Sequence, residues 1–177
     1  MEYLATYELF GFGKRRYTKG ISKVNNIVNK EGTDSLFEPF YELTDMGLEV
    51  TEKGPNPIDN NSRHKYPIWI QIHKGNPTGV VFSNNSSAIS AQTFTINDDI
   101  KDIVFSGIGR IENKFSLRLD SIIIQYEWNP MLEADGLDKL IIKNEKDWVK
   151  KLDRNSNVSF FGGLGSFYVF SINILFK

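Results

Sequence analysis

FSLRLDSIIIQY, residues 115–126, decides how the rest of the chain is read. Leu117, Leu119, Ile122, Ile124 and Tyr126 carry most of its apolar bulk. Apolar and polar residues alternate through Leu117-Arg118-Leu119-Asp120, and the pattern then closes into Ile122-Ile123-Ile124. A run that passes from alternating to continuous predicts a strand moving from a half-exposed edge into a two-sided core. Successive β-branched residues favour strand over helix.

Working outward, other segments offer this strand partners. Ile68, Ile70 and Ile72 alternate with Trp69 and Gln71, which predicts a strand with isoleucine on one face. Gly75-Asn76-Pro77 then turns the chain toward Gly79–Phe82, so 68–82 reads as a hairpin. Leu48-Glu49-Val50 is a short strand candidate. Asn97-Asp98-Asp99 reads as a turn, Ile100–Phe105 as a strand, and Gly107 and Gly109 as its loosening end. At the far end, Tyr168, Phe170, Ile172, Ile174 and Phe176 share one face, with Ser171 and Asn173 on the other beside Val169 and Leu175. This predicts a long, central final strand whose removal unfolds the protein. One short helix is expected after Asn144, which can cap it with Asp147 three positions on. Trp148 and Leu152 then share its inner face. Leu140–Ile142 just before it reads as a strand.

Toward the N-terminus, Ile21, Val24, Ile27 and Val28 fit one helical face or a short strand, and Phe37, Phe40, Tyr41 and Leu43 anchor a core around Pro39. Residues 51–67, TEKGPNPIDNNSRHKYP, form the clearest loop. The expectation is therefore one all-β domain over 1–177, antiparallel, with one short helix. A β-sandwich, a jelly roll and a β-prism all satisfy it.

Composition narrows the function. At 177 residues the chain is one domain's worth. A formal net charge of -1 gives no general attraction to nucleic acid or anionic membrane. Without cysteine, disulfides, thiol catalysis and zinc fingers are excluded. No apolar run is long enough to span a bilayer. MEYLATYELF lacks the basic n-region of a signal peptide, so the chain reads as cytosolic or already processed. Asn-x-Ser sequons at Asn60, Asn84, Asn85 and Asn157 matter only outside the cytosol.

Catalytic material is thin, and no cofactor motif is present. His64 and His73 are the only histidines, and a metal site would need both with a carboxylate such as Asp59. Asp98, Asp99 and Asp102 offer oxygen ligands without EF-hand spacing. Lys14, Arg15 and Arg16 follow Gly11-Phe12-Gly13 and form a candidate anion site, without the full P-loop pattern. Trp69 and Trp128 lie near Asn-rich turns. A flat apolar ring with amide and carboxylate neighbours is what a sugar ring needs, and core-closing is the plainer role for each tryptophan.

Two fragments resemble the jacalin-related lectins. One is Ile100-Lys101-Asp102-Ile103-Val104-Phe105 with Leu119-Asp120-Ser121-Ile122 and Gln125-Tyr126. The other is Val158–Gly162 with Gly165 and Tyr168-Val169-Phe170-Ser171-Ile172. The resemblance implies a β-prism of three small sheets and a sugar site. The family's sugar-gripping aspartate has no counterpart in Tyr168-Val169-Phe170, which leaves Asp120 and its neighbours as the implied contacts. The expected function is non-enzymatic binding of a glycan or a protein partner through loops at one end of the sheets. Asp120, Trp128, Trp69 and Tyr168 are the candidate ligand residues, and homo-oligomerisation would multiply a modest affinity. The alternative is a structural or assembly subunit whose aromatics form subunit contacts.

Overall fold

The computed structural model describes residues 20–52, 66–74, 93–128, 138–154 and 167–177. Their elements run α1 (20–31), α2 (Asp34–Phe37), a 3-10 turn (Glu38–Phe40), α3 (Glu42–Asp45), β1 (Glu49–Glu52), β2 (Ile68–His73), α4 (Asp98–Phe115), β3 (Leu119–Trp128), β4 (Asp138–Ile142), α5 (Glu145–Arg154) and β5 (Phe167–Phe176). The strands form one open sheet in the order β1-β2-β5-β3-β4, with every neighbouring pair antiparallel.

Register explains why the sheet has one greasy face. Val50, Ile72, Ile172, Ile124 and Leu140 lie in one row across all five strands. Ile70, Ile174, Ile122 and Ile142 form the next row, and all four are fully buried. Side chains alternate along each strand, so these rows share a face. They join a single hydrophobic cluster with Leu36, Phe40 and Leu43 of the N-terminal helices, Val104, Ile108 and Ile111 of α4, and Trp148 of α5. The helices therefore form the second layer over the isoleucine face.

This corrects the all-β expectation. The fold is mixed α/β, and its second layer is helical, so neither a sandwich, nor a jelly roll, nor a lectin-like β-prism describes it. The decisive misreading lies at 97–105. Asn97 is a helix N-cap: its extended backbone lets its Oδ1 accept the Ile100 N–H at 2.9 Å. Asp98 and Asp99 then stand in the first turn, where the helix dipole favours negative charge. Ile100, Val104, Ile108, Ile111 and Phe115 are buried at helical spacing along α4. The fragment Ile100–Phe105, half of one lectin resemblance, is thus helical. Residues 20–31, read as helix or strand, are helix.

Gly107 is a packing residue. A Cβ there would lie 2.3 Å from Cε1 of Phe40, so only glycine lets that ring lie against the α4 backbone. Helix α4 ends on Ser116, whose φ of 52° is left-handed. The Leu119 N–H then donates to Glu112 Oε1 at 2.7 Å, tying the start of β3 to the helix it follows.

Other expectations hold. The 115–126 stretch supplies β3 from Leu119 onward, between β5 and β4. The final strand is the middle of the sheet. Asn144 Oδ1 accepts the Asp147 N–H at 2.9 Å and caps α5, which buries Trp148 against Phe105 edge to face. β2 pairs with β1 and β5. The expected hairpin mate at 79–82 lies outside the described residues. Among the described residues, no helix is long and apolar enough to cross a membrane.

Candidate functional site

The face opposite the isoleucines is built from the alternate residues of the same strands. Thr51, Gln71, Asn173, Ile123 and Ile141 form one row. Glu49, His73, Ser171, Gln125 and Lys139 form the next. Trp69, Leu175 and Ser121 form a third. Polar side chains dominate its centre, yet Gln71, His73, Ser171 and Asn173 are at most 5% exposed. Buried polar groups must find partners or cost stability.

Asn173, on the central strand, is the hub. Its Oδ1 accepts from Trp69 Nε1 at 3.1 Å and from Gln71 Nε2 at 3.0 Å. Its Nδ2 donates to Ser171 Oγ at 3.0 Å and, at 3.3 Å each, to Gln125 Oε1 and the Ile123 carbonyl. The Ser171 hydroxyl donates to Gln125 Oε1 at 2.7 Å. Five side chains on three strands thus share one network of amides, a hydroxyl and an indole, without a charge among them. One atom is left over: Gln71 Oε1 is buried and accepts no hydrogen bond. Trp69 and Gln125 are half-buried, so the network meets the surface through them. Beside it, His73 Nε2 lies 3.4 Å from Thr51 Oγ1 and Nδ1 lies 4.0 Å from Glu49 Oε2.

A second polar group surrounds Asp120, the extra residue of a β-bulge between Leu119 and Ser121. Its Oδ1 pairs with Lys177 Nζ at 3.0 Å. Its Oδ2 accepts from Tyr66 Oη at 3.2 Å and Ser121 Oγ at 3.1 Å. Partial burial alone would raise the Asp120 carboxyl. The Lys177 hydrogen bond and charge, the Ser121 hydroxyl and the Lys143 charge outweigh it and hold the group below the usual carboxylate range. Burial and the Asp120 charge push the Tyr66 phenol up. This carboxylate holds strand ends together: Arg118 and Lys177 also exchange backbone hydrogen bonds of 3.0 and 2.8 Å.

Of the sequence candidates, Trp69 belongs to the network. Asp120 sits apart from it, next to Ser121 in the row that Leu175 separates from Trp69. Trp128 stands opposite Phe167 and Tyr168 opposite Glu127 where β3 and β5 run together, and their side chains lie outside what is described. Lys14, Arg15 and Arg16 lie outside the described residues, as do His64 and Asp59. Asp98 and Asp102 both pair with Lys101. Among the described residues no group of three His, Cys, Asp or Glu is placed to hold a metal.

Gln71, Gln125, Ser171 and Asn173 went unrecognised as a site. The signal for Gln71, Ser171 and Asn173 is present in WIQIH and SINIL, where polar residues interrupt isoleucines at every second position, whereas Gln125 follows three isoleucines in a row. Nothing in one sequence shows that those two strands are neighbours, which is what brings the amides together. Comparison with protein-family models, with curated proteins and with solved structures finds no match to this chain.

Proposed function

We propose that the protein is a non-enzymatic carbohydrate-binding protein, and that the half-buried Trp69 and Gln125, where the polar network of the sheet meets the surface, rather than loops at the sheet ends, make the contact. The observation that supports this most is the uncharged network centred on Asn173. Primary amides offer a donor and an acceptor side by side, which is what the hydroxyls of a neutral sugar require. The Trp69 ring adds a flat apolar surface of the kind that sugar rings stack on. Most of the network's valences are already filled, so the contacting groups are held in place before a ligand arrives.

Titration of the full chain with neutral mono- and disaccharides, read by tryptophan fluorescence and checked on a glycan array, tests the reading. Saturable binding is expected, and Trp69→Phe should remove most of the fluorescence response. A chain that binds no glycan at millimolar concentration is not a carbohydrate-binding protein of this kind.

A second reading, an assembly subunit, rests on the other end of the sheet. Among the described residues β4 pairs only with β3, and Ile141 and Val149 are 48% and 41% exposed there. Exposed aliphatic side chains beside an edge strand suit a protein contact. Light scattering of the wild type and of Ile141→Lys separates the two: an oligomer that the substitution dissociates favours assembly.

A further inference from the structure

We infer that Asp147 and Lys151 of α5 form a clasp that closes the outer edge of β4 to strand addition by a second copy of this chain. The inference is independent of the glycan reading, and it limits the assembly reading to contacts between side chains.

Among the described residues β4 is an edge of the sheet, and an edge strand leaves backbone groups open to another chain. Its run Leu140-Ile141-Ile142 has the side chains that strands favour. In an antiparallel ladder the N–H and C=O of one residue point to the same side, and those of the next residue to the other. Ile141 and Lys143 therefore present their backbone groups to one side, and Ile142 between them to the opposite side. The Ile141 carbonyl accepts from Lys151 Nζ, and the Lys143 N–H donates to Asp147 Oδ2 at 3.0 Å. Both partners are α5 side chains and not β3 backbone, so that side is the outer edge.

A strand carbonyl and the N–H two residues on are the acceptor and donor that an added antiparallel strand would take. Here an ammonium stands where that strand's N–H would be, and a carboxylate where its carbonyl would be. The two are also joined to each other, with Lys151 Nζ 3.0 Å from Asp147 Oδ2 across one turn of the helix. The Lys151 hydrogen bond, the Lys143 N–H and the Lys151 and Lys150 charges outweigh some desolvation and hold the Asp147 carboxyl below its usual range, so it stays ionised and able to accept. Helix capping accounts for half of the clasp. Asn144 Oδ1 takes the Asp147 N–H, and an acidic side chain at that position commonly reaches back to a backbone N–H at the helix start. Capping does not account for Lys151, whose ammonium leaves the helix for a strand carbonyl ten residues earlier. A chain adding to β4 would have to break both contacts and the ion pair. Every other molecule in solution carries the matching strand, because two identical antiparallel edges close about a twofold axis.

Light scattering of the full chain over a concentration series tests this. The double variant Asp147→Ala with Lys151→Ala should self-associate at a concentration about tenfold or more below any at which the wild type does. Lys139→Pro, added to that pair, should reverse the gain, because it takes an N–H off the same edge without touching Ile141 or the clasp. A double variant that associates no more than the wild type overturns the inference. So does a gain that Lys139→Pro leaves in place, since it belongs to the helix surface and not to the edge. A wild type held together by an association that Lys139→Pro abolishes has an open edge, and that too overturns it. Should the double variant not fold, Lys151→Ala, which spares the cap on α5, takes its place under the same criteria. Hydrogen exchange on the wild type then decides with it: the Lys143 amide should exchange about tenfold or more slowly relative to an unfolded chain, and exchange at the unfolded rate overturns the inference.

Discussion

The two faces of the sheet are made by the same strands and obey different rules. On one, Ile70, Ile174, Ile122 and Ile142 are held by burial, which has no direction. On the other, Trp69, Gln71, Asn173, Ser171 and Gln125 are held by hydrogen bonds that fail if an amide turns over. The first face supplies stability and tolerates shape-preserving exchange. The second fixes each group's orientation, as a satisfied buried polar network does.

The largest expected effect is on the isoleucine face. Ile174→Ala should cost about 4 kcal/mol in urea unfolding, since it empties a fully buried position between Ile70 and Ile122. A loss below about 1 kcal/mol would mean that the helical layer collapses into the space and that the face is not close-packed. Asn173→Leu should come next, at about 3 kcal/mol, because it strands the Trp69 and Gln71 donors. Here the two faces should part company. Adding Trp69→Phe and Gln71→Leu to Asn173→Leu should recover much of the stability, since whole networks can be replaced by apolar groups where half-networks cannot. Failure to recover would show that the polar face serves the fold and not a ligand.

Gly107→Ala asks how tightly the helices grip the isoleucine face. Its methyl would meet Phe40, and the variant should lose about 2 kcal/mol in thermal unfolding. Phe40→Leu, costly by itself, should cost less when Gly107 is already alanine. The smallest effect concerns Asp120. Its carboxyl is held low in the folded state, so the stability it adds is present above the ordinary carboxylate range and disappears as pH falls through the depressed value. Lys177→Gln should therefore lower the unfolding temperature at neutral pH, by less than about 1 kcal/mol in free energy, and make no difference in strong acid. Lys177 is 62% exposed, which keeps the effect small.

The strands were legible because apolar side chains recur at every second residue. Ile68, Ile70 and Ile72 of β2 and Ile172, Ile174 and Phe176 of β5 show it in their side-chain type although both strands are buried almost throughout, and the centrality of β5 followed from apolar side chains on both of its faces. Helix α5 was legible from Asn144 and the pairing of Trp148 with Leu152. Helix α4 was not, for two physical reasons. Asn-Asp-Asp is equally good chemistry for a turn and for a helix start, because in both the side chain accepts a backbone N–H. Gly107 and Gly109 also counted as breakers, whereas Gly107 is required by a ring from a segment nearly seventy residues earlier in the chain. The same limit hid most of the candidate site. Gln71, Ser171 and Asn173 were visible as the polar side of their strands, and Trp69 as an aromatic. Their union depends on β2 lying beside β5, a pairing over about a hundred residues that local pattern does not encode.

β5 is the last of the five strands in sequence and fills the gap between β2 and β3. During synthesis, the antiparallel pairs β1-β2 and β3-β4 leave the ribosome first, and among the described residues the mate of their inner edges is β5. Neither can settle until residues 167–176 arrive to bridge them, so the molecule locks late, around distant partners. Without residues 167–176, β2 and β3 each lose the mate that covers one edge, and unpaired edges of this kind invite wrong pairing.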